Sequence, residues 1–243
     1  MAVNLSVVVP TYHEVLNIPL LAAELREVLN TSNIAYELIL VDDNSSDGTE
    51  DLCAKLTLEG HPIRLIVRKT ERGLSSAVIR GLESAQGDML AVMDADLSHP
   101  AAVLPEMYRL LTQTDVELAI GSRYIQGGTT DSEWSFFRRL NSKMATLLAW
   151  PLCAGITDPM AGFFILRRTT FQRAANLNPI GYKILLEIIC KARIIRINEV
   201  PIHFRDRKLG ESKLNLKEQF RYLRHLYRLY TFKLFSGRKV QRD

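Results

Sequence analysis

The chain has 243 residues, 47% of them hydrophobic and 24% charged, with 13 Gly and 9 Pro. This composition supports a sizeable core and excludes a disordered, collagen-like or low-complexity chain. The net charge is +4, yet residues 205–243 carry twelve Lys/Arg against four Asp/Glu, so this tail holds +8 and the rest of the chain −4.

In chain order, Leu5–Pro10 is short, β-branched and nearly all apolar, as a strand buried on both faces is. A polar turn, Thr11–Asn17, leads into helical spacing over Ile18–Asn30. Glu37–Val41 is a second buried strand, running into Asp42-Asp-Asn-Ser-Ser-Asp-Gly-Thr49, and helical spacing resumes over Thr49–Leu58. Ile63–Val67 reads as a third strand, and Ser75–Ala85 as a helix set between Gly73 and Gly87. Met89–Met93 is a fourth strand ending at Asp94-Ala-Asp96. A helix over Leu104–Gln113 and a fifth strand over Val116–Ser122 follow. The second half is less regular. It holds helical spacing over Trp134–Leu152, a strand over Gly162–Arg167, a helix over Ile180–Ala192, a strand over Ile194–Phe204 and a basic amphipathic helix over Leu216–Phe235.

Strand, turn and helix repeated four times predict an α/β fold, a mainly parallel, Rossmann-like sheet with helices on both faces. Ligands of such sheets bind beyond the carboxyl ends of the strands. The polar clusters Thr11–Glu14, Asp42–Asp47 and Asp94–Pro100 fall at those ends. No repeat and no Ser/Gly linker interrupts the chain, so residues 1–243 are read as one domain with a C-terminal elaboration.

Cys53, Cys153 and Cys190 form no CxxC pair, which argues against structural zinc and for a reducing compartment. No stretch reaches the roughly 18–20 apolar residues that span a bilayer. The start, Met1-Ala-Val-Asn-Leu-Ser, lacks the basic region of a signal peptide. The expectation is a soluble or peripheral protein on the cytoplasmic side. Its basic tail suits an anionic partner, whether nucleic acid, phosphorylated ligand or membrane surface, or else forms a solvated helix.

Asp94 and Asp96 follow a strand directly and share one side of an extended segment. Two carboxylates so placed can hold one divalent cation; Mg²⁺ and Mn²⁺ favour such hard oxygens and keep positions open for substrate phosphates. The plainer alternative is a surface turn with Asp96 capping the next helix. Asp42 and Asp43 also end a strand. A carboxylate there can accept hydrogen bonds from a base or ribose, while Asp47 and Thr49 suit a helix cap. There is neither a GxGxxG nor a P-loop motif, which excludes the usual ATP and GTP hydrolases. Tyr12 can stack on a base and Glu14 can accept from a sugar, or both are turn residues. Arg207-Lys-Leu-Gly-Glu-Ser-Lys213 has the make-up of a loop that grips phosphate. Arg123 is a second candidate phosphate ligand, and Arg138 and Ser142 share a face at i, i+4.

Taken together, Val7–Glu14, Val41–Thr49, Gly73-Leu74, Met93–Pro100 and Gly121–Tyr124 resemble family 2 inverting glycosyltransferases with the GT-A fold. Arg207 with Gly210-Glu-Ser-Lys213 narrows the resemblance to the dolichol-phosphate mannosyltransferases. The resemblance runs from about Ser6 to Tyr230. It implies that Pro10, Tyr12, Glu14, Val41 and Asp43 hold the guanosine of GDP-mannose. Asp94, Ala95 and Asp96 would surround Mg²⁺ or Mn²⁺ and the donor diphosphate, with Ser98 as a further metal ligand. Arg207 and Lys213 would close over the donor phosphates, and Arg123, Arg138 and Ser142 would receive the phosphate of a polyprenol acceptor. Asp94, Asp96 and Arg123 are the residues expected to carry catalysis. About 1–125 would be the nucleotide-sugar half and about 126–243 the acceptor half.

The acceptor lipid implies contact with a membrane surface. Candidate interface elements are the apolar helix near Met144–Cys153 and the basic helix Lys217–Lys233; core packing is the alternative for each. Many relatives continue into transmembrane segments where this chain stops at Asp243, which implies either a tail-less type with a small membrane-protein partner or a shortened chain. Ile165 stands where relatives often have Arg, and Ser98 where some have Gln. A UDP-sugar donor and a non-catalytic nucleotide-sugar module are the competing readings. A nucleic-acid binder fits least, because no module motif accompanies the basic tail.

Overall fold

A computed structural model describes residues 3–130, 144–153, 155–178, 180–181, 183–205 and 216–236. Seven strands form one sheet: β1 (Leu5–Thr11), β2 (Tyr36–Asp42), β3 (Ile63–Val67), β4 (Met89–Val92), β5 (Leu118–Ser122), β7 (Phe164–Arg167) and β8 (Ile197–Pro201). Their order is β3-β2-β1-β4-β7-β5-β8. β6 (Thr129–Thr130) and β9 (His203–Phe204) make a separate parallel pair. The helices are α1 (Ile18–Thr31), α2 (Thr49–Leu58), α3 (Leu74–Ser84), α4 (Leu104–Gln113), α5 (residues 144–149), α6 (Arg168–Arg173), α7 (Ile184–Ala192) and α8 (Leu216–Ser236).

Helices cover both faces, which explains the unbroken apolar strands. Alternate side chains of a strand point to opposite faces. Val7, Val9, Leu38 and Leu40 therefore pack with Ile18, Leu21, Leu25 and Leu29 of α1 and with Leu104, Met107 and Leu111 of α4. Val8, Ile39 and Val41 meet Ala77, Val78 and Leu82 of α3, in a cluster that continues to α7 and α8. Each fully buried Leu or Val side chain contributes about 1.5–3 kcal/mol by leaving water. α3 lies close against the sheet because Gly81 has no side chain: a Cβ there would sit 2.3 Å from Val8 Cγ1.

The second half departs from the expected elements in several places. β7 runs antiparallel between β4 and β5, which agrees with the expected mainly parallel sheet; the departures are in the bounds of single elements. The predicted strand over Val116–Ser122 begins at Leu118. The predicted strand over Ile194–Phe204 is two strands in two sheets, and Ile202 hands the chain across by donating its N–H to Ser122 O and accepting from Thr129 N. The predicted helix over Ile180–Ala192 begins only at Ile184, after Gly181 at φ 79°, a left-handed geometry that an α-helix does not contain. In the stretch predicted as Trp134–Leu152, α5 passes into a 3-10 turn at Trp150–Leu152, where Pro151 supplies no backbone donor; residues 134–143 lie outside the described residues.

α8 turns one stripe inward, with Tyr222, Leu226 and Leu229 in the core. It is tied to the neighbouring segment by Tyr222 Oη donating to Ala145 O (2.5 Å), Tyr230 Oη to Leu148 O (2.6 Å) and Lys233 Nζ to Pro151 O (2.6 Å). Core packing thus takes up part of the apolar side chains in both candidate interface helices. Met144, Leu147, Leu148 and Trp150 remain exposed, as do Phe220, Leu223 and Tyr227. Among the described residues, no helix is long and apolar enough to cross a membrane.

Candidate active site

The ends of β1, β2 and β4 meet at one edge of the sheet because their parallel register aligns them: Thr11 pairs with Asp42, and Met93 N donates to Val8 O. The loops that leave them enclose a cleft of about 190 Å³, lined by Pro10, Thr11, Tyr12, Glu14, Asp43, Leu74, Ala77, Asp94, Ala95 and Asp96. Three separate polar clusters of the sequence are therefore one site.

Two adjacent aspartates divide the work at the end of β2. Asp42 organises the loop, accepting from Thr11 Oγ1 (3.1 Å), Ser45 N (2.8 Å) and Ser45 Oγ (2.5 Å). Asp43 faces the cleft. Its Oδ1 accepts from Arg68 Nε at 2.7 Å and also from Arg68 Nη2, and its Oδ2 accepts from Gly73 N at 2.8 Å. Arg68 is buried and also donates to Gly73 O and Ser76 Oγ, so it locks the entry of α3 to the Asp43 carboxylate. Gly73 sits at φ 125°, outside the range of ordinary side-chain-bearing residues. Asp47 accepts from Thr49 N and Oγ1, as a cap does, just before α2.

Tyr12 is 47% exposed and lies under the Arg72 guanidinium, 5.5 Å from its ring centre. Glu14 Oε2 accepts from Asn17 Nδ2 at 2.7 Å. Pro10 and Ala95 form cleft wall. The Val41 side chain is fully buried in the core against α3, which leaves only its backbone to face a ligand.

Asp96 is nearly buried, and its Oδ1 accepts from Ser98 N (3.0 Å) and Ser98 Oγ (2.5 Å). Ser98, itself fully buried, thus orients the Asp96 carboxylate. The Asp94 side chain is 28% exposed toward the cleft. Its backbone N–H donates to His99 Nδ1 at 3.1 Å, which assigns the ring proton to Nε2, 3.9 Å from Asp94 Oδ2. His99 is packed between Phe163 and Phe204. A side chain at Gly162 would crowd this pair, since its Cβ would lie 3.3 Å from His99 Cε1 and 3.4 Å from Asp94 Oδ2.

Burial pushes the His99 pKa below its ordinary 6.5, outweighing the pull of Asp94 and Asp96 in the other direction. A base with a depressed folded pKa stays neutral while the unfolded chain takes up a proton. The His99 contribution to stability is therefore complete above pH 6.5 and lost as pH falls below it. His99→Gln should flatten the decline in Tm between pH 6.5 and 5 relative to the wild type; parallel curves would remove His99 as its source.

The donor set at Asp94 and Asp96 is two carboxylates, and no cluster of three or more His, Cys, Asp or Glu residues suited to a metal occurs among the described residues. Two hard oxygens with room beside them suit Mg²⁺ or Mn²⁺, whose other positions go to water and substrate phosphate. A softer transition metal would want imidazole or thiolate.

Arg123, just past β5, forms a two-point pair with Asp158: Nε to Oδ2 at 2.8 Å and Nη2 to Oδ1 at 3.0 Å. Its guanidinium lies over the rings of Phe204 (5.2 Å) and Tyr124 (5.3 Å). Burial works against its charge, but the Asp158 fork outweighs that and raises the pKa, so the cation is secure. Phe204 touches both Arg123 and His99 and so joins this cation to the Asp94 side of the cleft. Arg205 N donates to Ser98 O at 3.1 Å, which seats Arg205 beside the Asp96 loop. Arg138, Ser142, Arg207 and Lys213 lie outside the described residues. Sequence reading missed Arg68, Asp158 and Glu199, each of which organises another residue of the site.

The profile of glycosyl transferase family 2 matches residues 6–173. A dolichol-phosphate mannosyltransferase of Pyrococcus furiosus is 44% identical over 229 residues, 93% of this chain and 63% of that protein. The chain thus spans less than two thirds of that relative. A dolichol-phosphate mannosyltransferase of Saccharomyces cerevisiae is 41% identical over 248 residues, 99% of this chain and 92% of that protein. Among solved structures, a mannosyltransferase from Pyrobaculum calidifontis in complex with GDP-Man and Mn²⁺ has a TM-score of 0.63 at 20% identity, over 95% of this chain and 64% of that one. That likeness is one of fold.

Proposed function

The chain belongs to glycosyl transferase family 2 and has a GT-A-like fold, and from that premise we propose that it transfers mannose from GDP-mannose to the phosphate of dolichol or another polyprenol, with inversion. The observation that carries this reading is the shared cleft. Asp94 and Asp96, oriented by His99 and Ser98, line the same cavity as Tyr12, Glu14 and the Arg68-locked Asp43. Side chains suited to a nucleoside and carboxylates suited to a cation beside a diphosphate thus share one sheet edge, which supports the reading, as do the relatives named dolichol-phosphate mannosyltransferase.

The chemistry asks little of acids and bases. The acceptor phosphate is already an anion, so no proton need be removed. One of its oxygens bonds to the anomeric carbon of the sugar, the bond from that carbon to the diphosphate breaks, and the electron pair leaves with GDP. Attack opposite the leaving group inverts the centre. The protein supplies position and charge. Asp94 and Asp96 would hold Mg²⁺ or Mn²⁺, and the bound cation supplies neutralisation of the leaving diphosphate. Tyr12, Glu14 and Asp43 orient the nucleoside, with Pro10, Ala95 and the Val41 backbone shaping the wall. Arg207 and Lys213 add charge over the diphosphate. Arg123, with Arg138 and Ser142, receives the acceptor phosphate.

Residues 1–125 act in this reading as the donor half and 126–243 as the acceptor half of one catalytic unit. The apolar side chains exposed on α5 and on α8, the latter within the basic tail, support a peripheral seat at the membrane where the lipid enters.

The test is transfer of radiolabelled sugar to dolichyl phosphate, with GDP-mannose and UDP-glucose compared and Mg²⁺ or Mn²⁺ present. Label should pass from GDP-mannose alone and stop on adding EDTA. Label from UDP-glucose would overturn the donor, and EDTA-resistant transfer would overturn the metal role.

A further inference from the structure

Glu199 lies in β8, beside β5, the strand that ends at Ser122 just before Arg123, with Ile120 as its register partner. Among the described residues, its hydrogen bonds go to the turn at 157–158 and not to the cleft. Its carboxylate gathers that turn: Oε2 accepts from Thr157 N at 2.9 Å, and Oε1 accepts from Thr157 Oγ1 at 2.6 Å and from Asp158 N at 3.1 Å. Three donors from two consecutive residues fix both the position and the tilt of that turn. Thr157 Oγ1 is also 3.1 Å from Ser122 Oγ, beside Arg123 in sequence. From the turn so fixed, buried Asp158 projects the two-point fork onto Arg123.

We infer that Glu199 is a positioning residue for the transfer reaction: through Thr157 and Asp158 it sets the angle at which Arg123 presents its guanidinium to the acceptor phosphate. This rests on the proposed role of Arg123. A planar guanidinium gives its best hydrogen bonds in fixed directions, and its orientation follows from the carboxylate it is forked to. A shift of the 157–158 turn therefore becomes a shift of the cation. The donor side is pinned by other contacts, Arg68 on Asp43 and Ser98 on Asp96, and none of them passes through Glu199. The expected signature is a loss confined to the acceptor.

The experiment compares wild type, Glu199→Ala, Glu199→Gln, Thr157→Val and Arg123→Lys. KM for dolichyl phosphate and kcat are measured with GDP-mannose, together with the affinity for GDP and solvent exchange of the Arg123 Nε–H proton, a signal assigned by its absence in Arg123→Lys. Glu199→Ala should raise the acceptor KM about ten- to a hundredfold, the scale for a misplaced contact group, with GDP affinity within about twofold of wild type. The Nε–H proton should exchange on the order of tenfold faster as its fork loosens. Glu199→Gln keeps an oxygen for two of the three donors but sets an amide against the third, so it should fall in between. Thr157→Val removes one donor without touching Glu199 and should move the same readings; it decides the matter if Glu199→Ala does not fold.

An unchanged acceptor KM, an unchanged exchange rate, or an equal loss of GDP affinity in Glu199→Ala would each overturn the inference. Arg123→Lys separates the two levels. If it raises the acceptor KM and Glu199→Ala does not, the Glu199 role alone falls. If it leaves the acceptor KM unchanged, the Arg123 reading falls with it. Should the wild type transfer nothing, the function falls, while the exchange of the Arg123 proton still decides whether Glu199 sets that side chain.

Discussion

Asp96→Asn is expected to lower kcat/KM by roughly a thousandfold or more while the protein stays folded. That factor equals about 4 kcal/mol at 1.36 kcal/mol per tenfold, within the several kcal/mol that a cation contributes at a developing charge. The amide keeps the shape of the carboxylate and one oxygen for Ser98 N and Ser98 Oγ, so the loop after β4 holds. It loses the negative charge on which the proposed cation binding rests. Asp96→Ala is the harsher change, because it also leaves the buried Ser98 groups without their acceptor, at about 1–3 kcal/mol for an unsatisfied donor. Turnover measured against Mn²⁺ concentration, beside thermal unfolding, separates the two. Near wild-type turnover in Asp96→Asn at ordinary Mn²⁺ would show that this carboxylate is no ligand.

The first half of the chain was legible because its signals are local. Leu5–Pro10, Glu37–Val41 and Met89–Met93 are apolar runs of strand length, and a parallel sheet covered on both faces needs such runs. The same topology puts Tyr12, Asp43 and Asp94 at one edge. What lies between distant segments was not legible. β7 slots antiparallel between β4 and β5, and nothing in Phe164–Arg167 names its neighbours. Arg68 and Asp158 belong to no local motif, and their partners stand 25 and 35 positions away. Asp158 did carry one signal: a carboxylate flanked by long apolar stretches must find a partner if it is buried. Ser98 shows the reverse case, since its place beside Asp96 was readable but its direction was not; the hydroxyl points to the carboxylate.

Arg123 and Asp158 give the second large effect, and the direction of removal matters. The Asp158 side chain is 2% exposed and that of Arg123 is 18%. Arg123→Ala strands a carboxylate in the interior, which costs about 3–5 kcal/mol for a broken buried pair. For a chain of this size that lowers Tm by roughly 10 °C. Asp158→Ala should cost less, because the guanidinium it frees can turn toward water. The double variant removes both charges and should recover most of the lost stability, a positive coupling in the cycle. Activity should follow a different order. Transfer to dolichyl phosphate should be lost in Arg123→Ala and stay lost in the stable double variant, since the cation proposed to receive the acceptor phosphate is absent from both. Stability that recovers without activity assigns Arg123 to the reaction and its pairing to the fold. Activity that returns with stability would make the pair a structural element only, and an Arg123→Ala protein as stable as wild type would contradict the burial of Asp158.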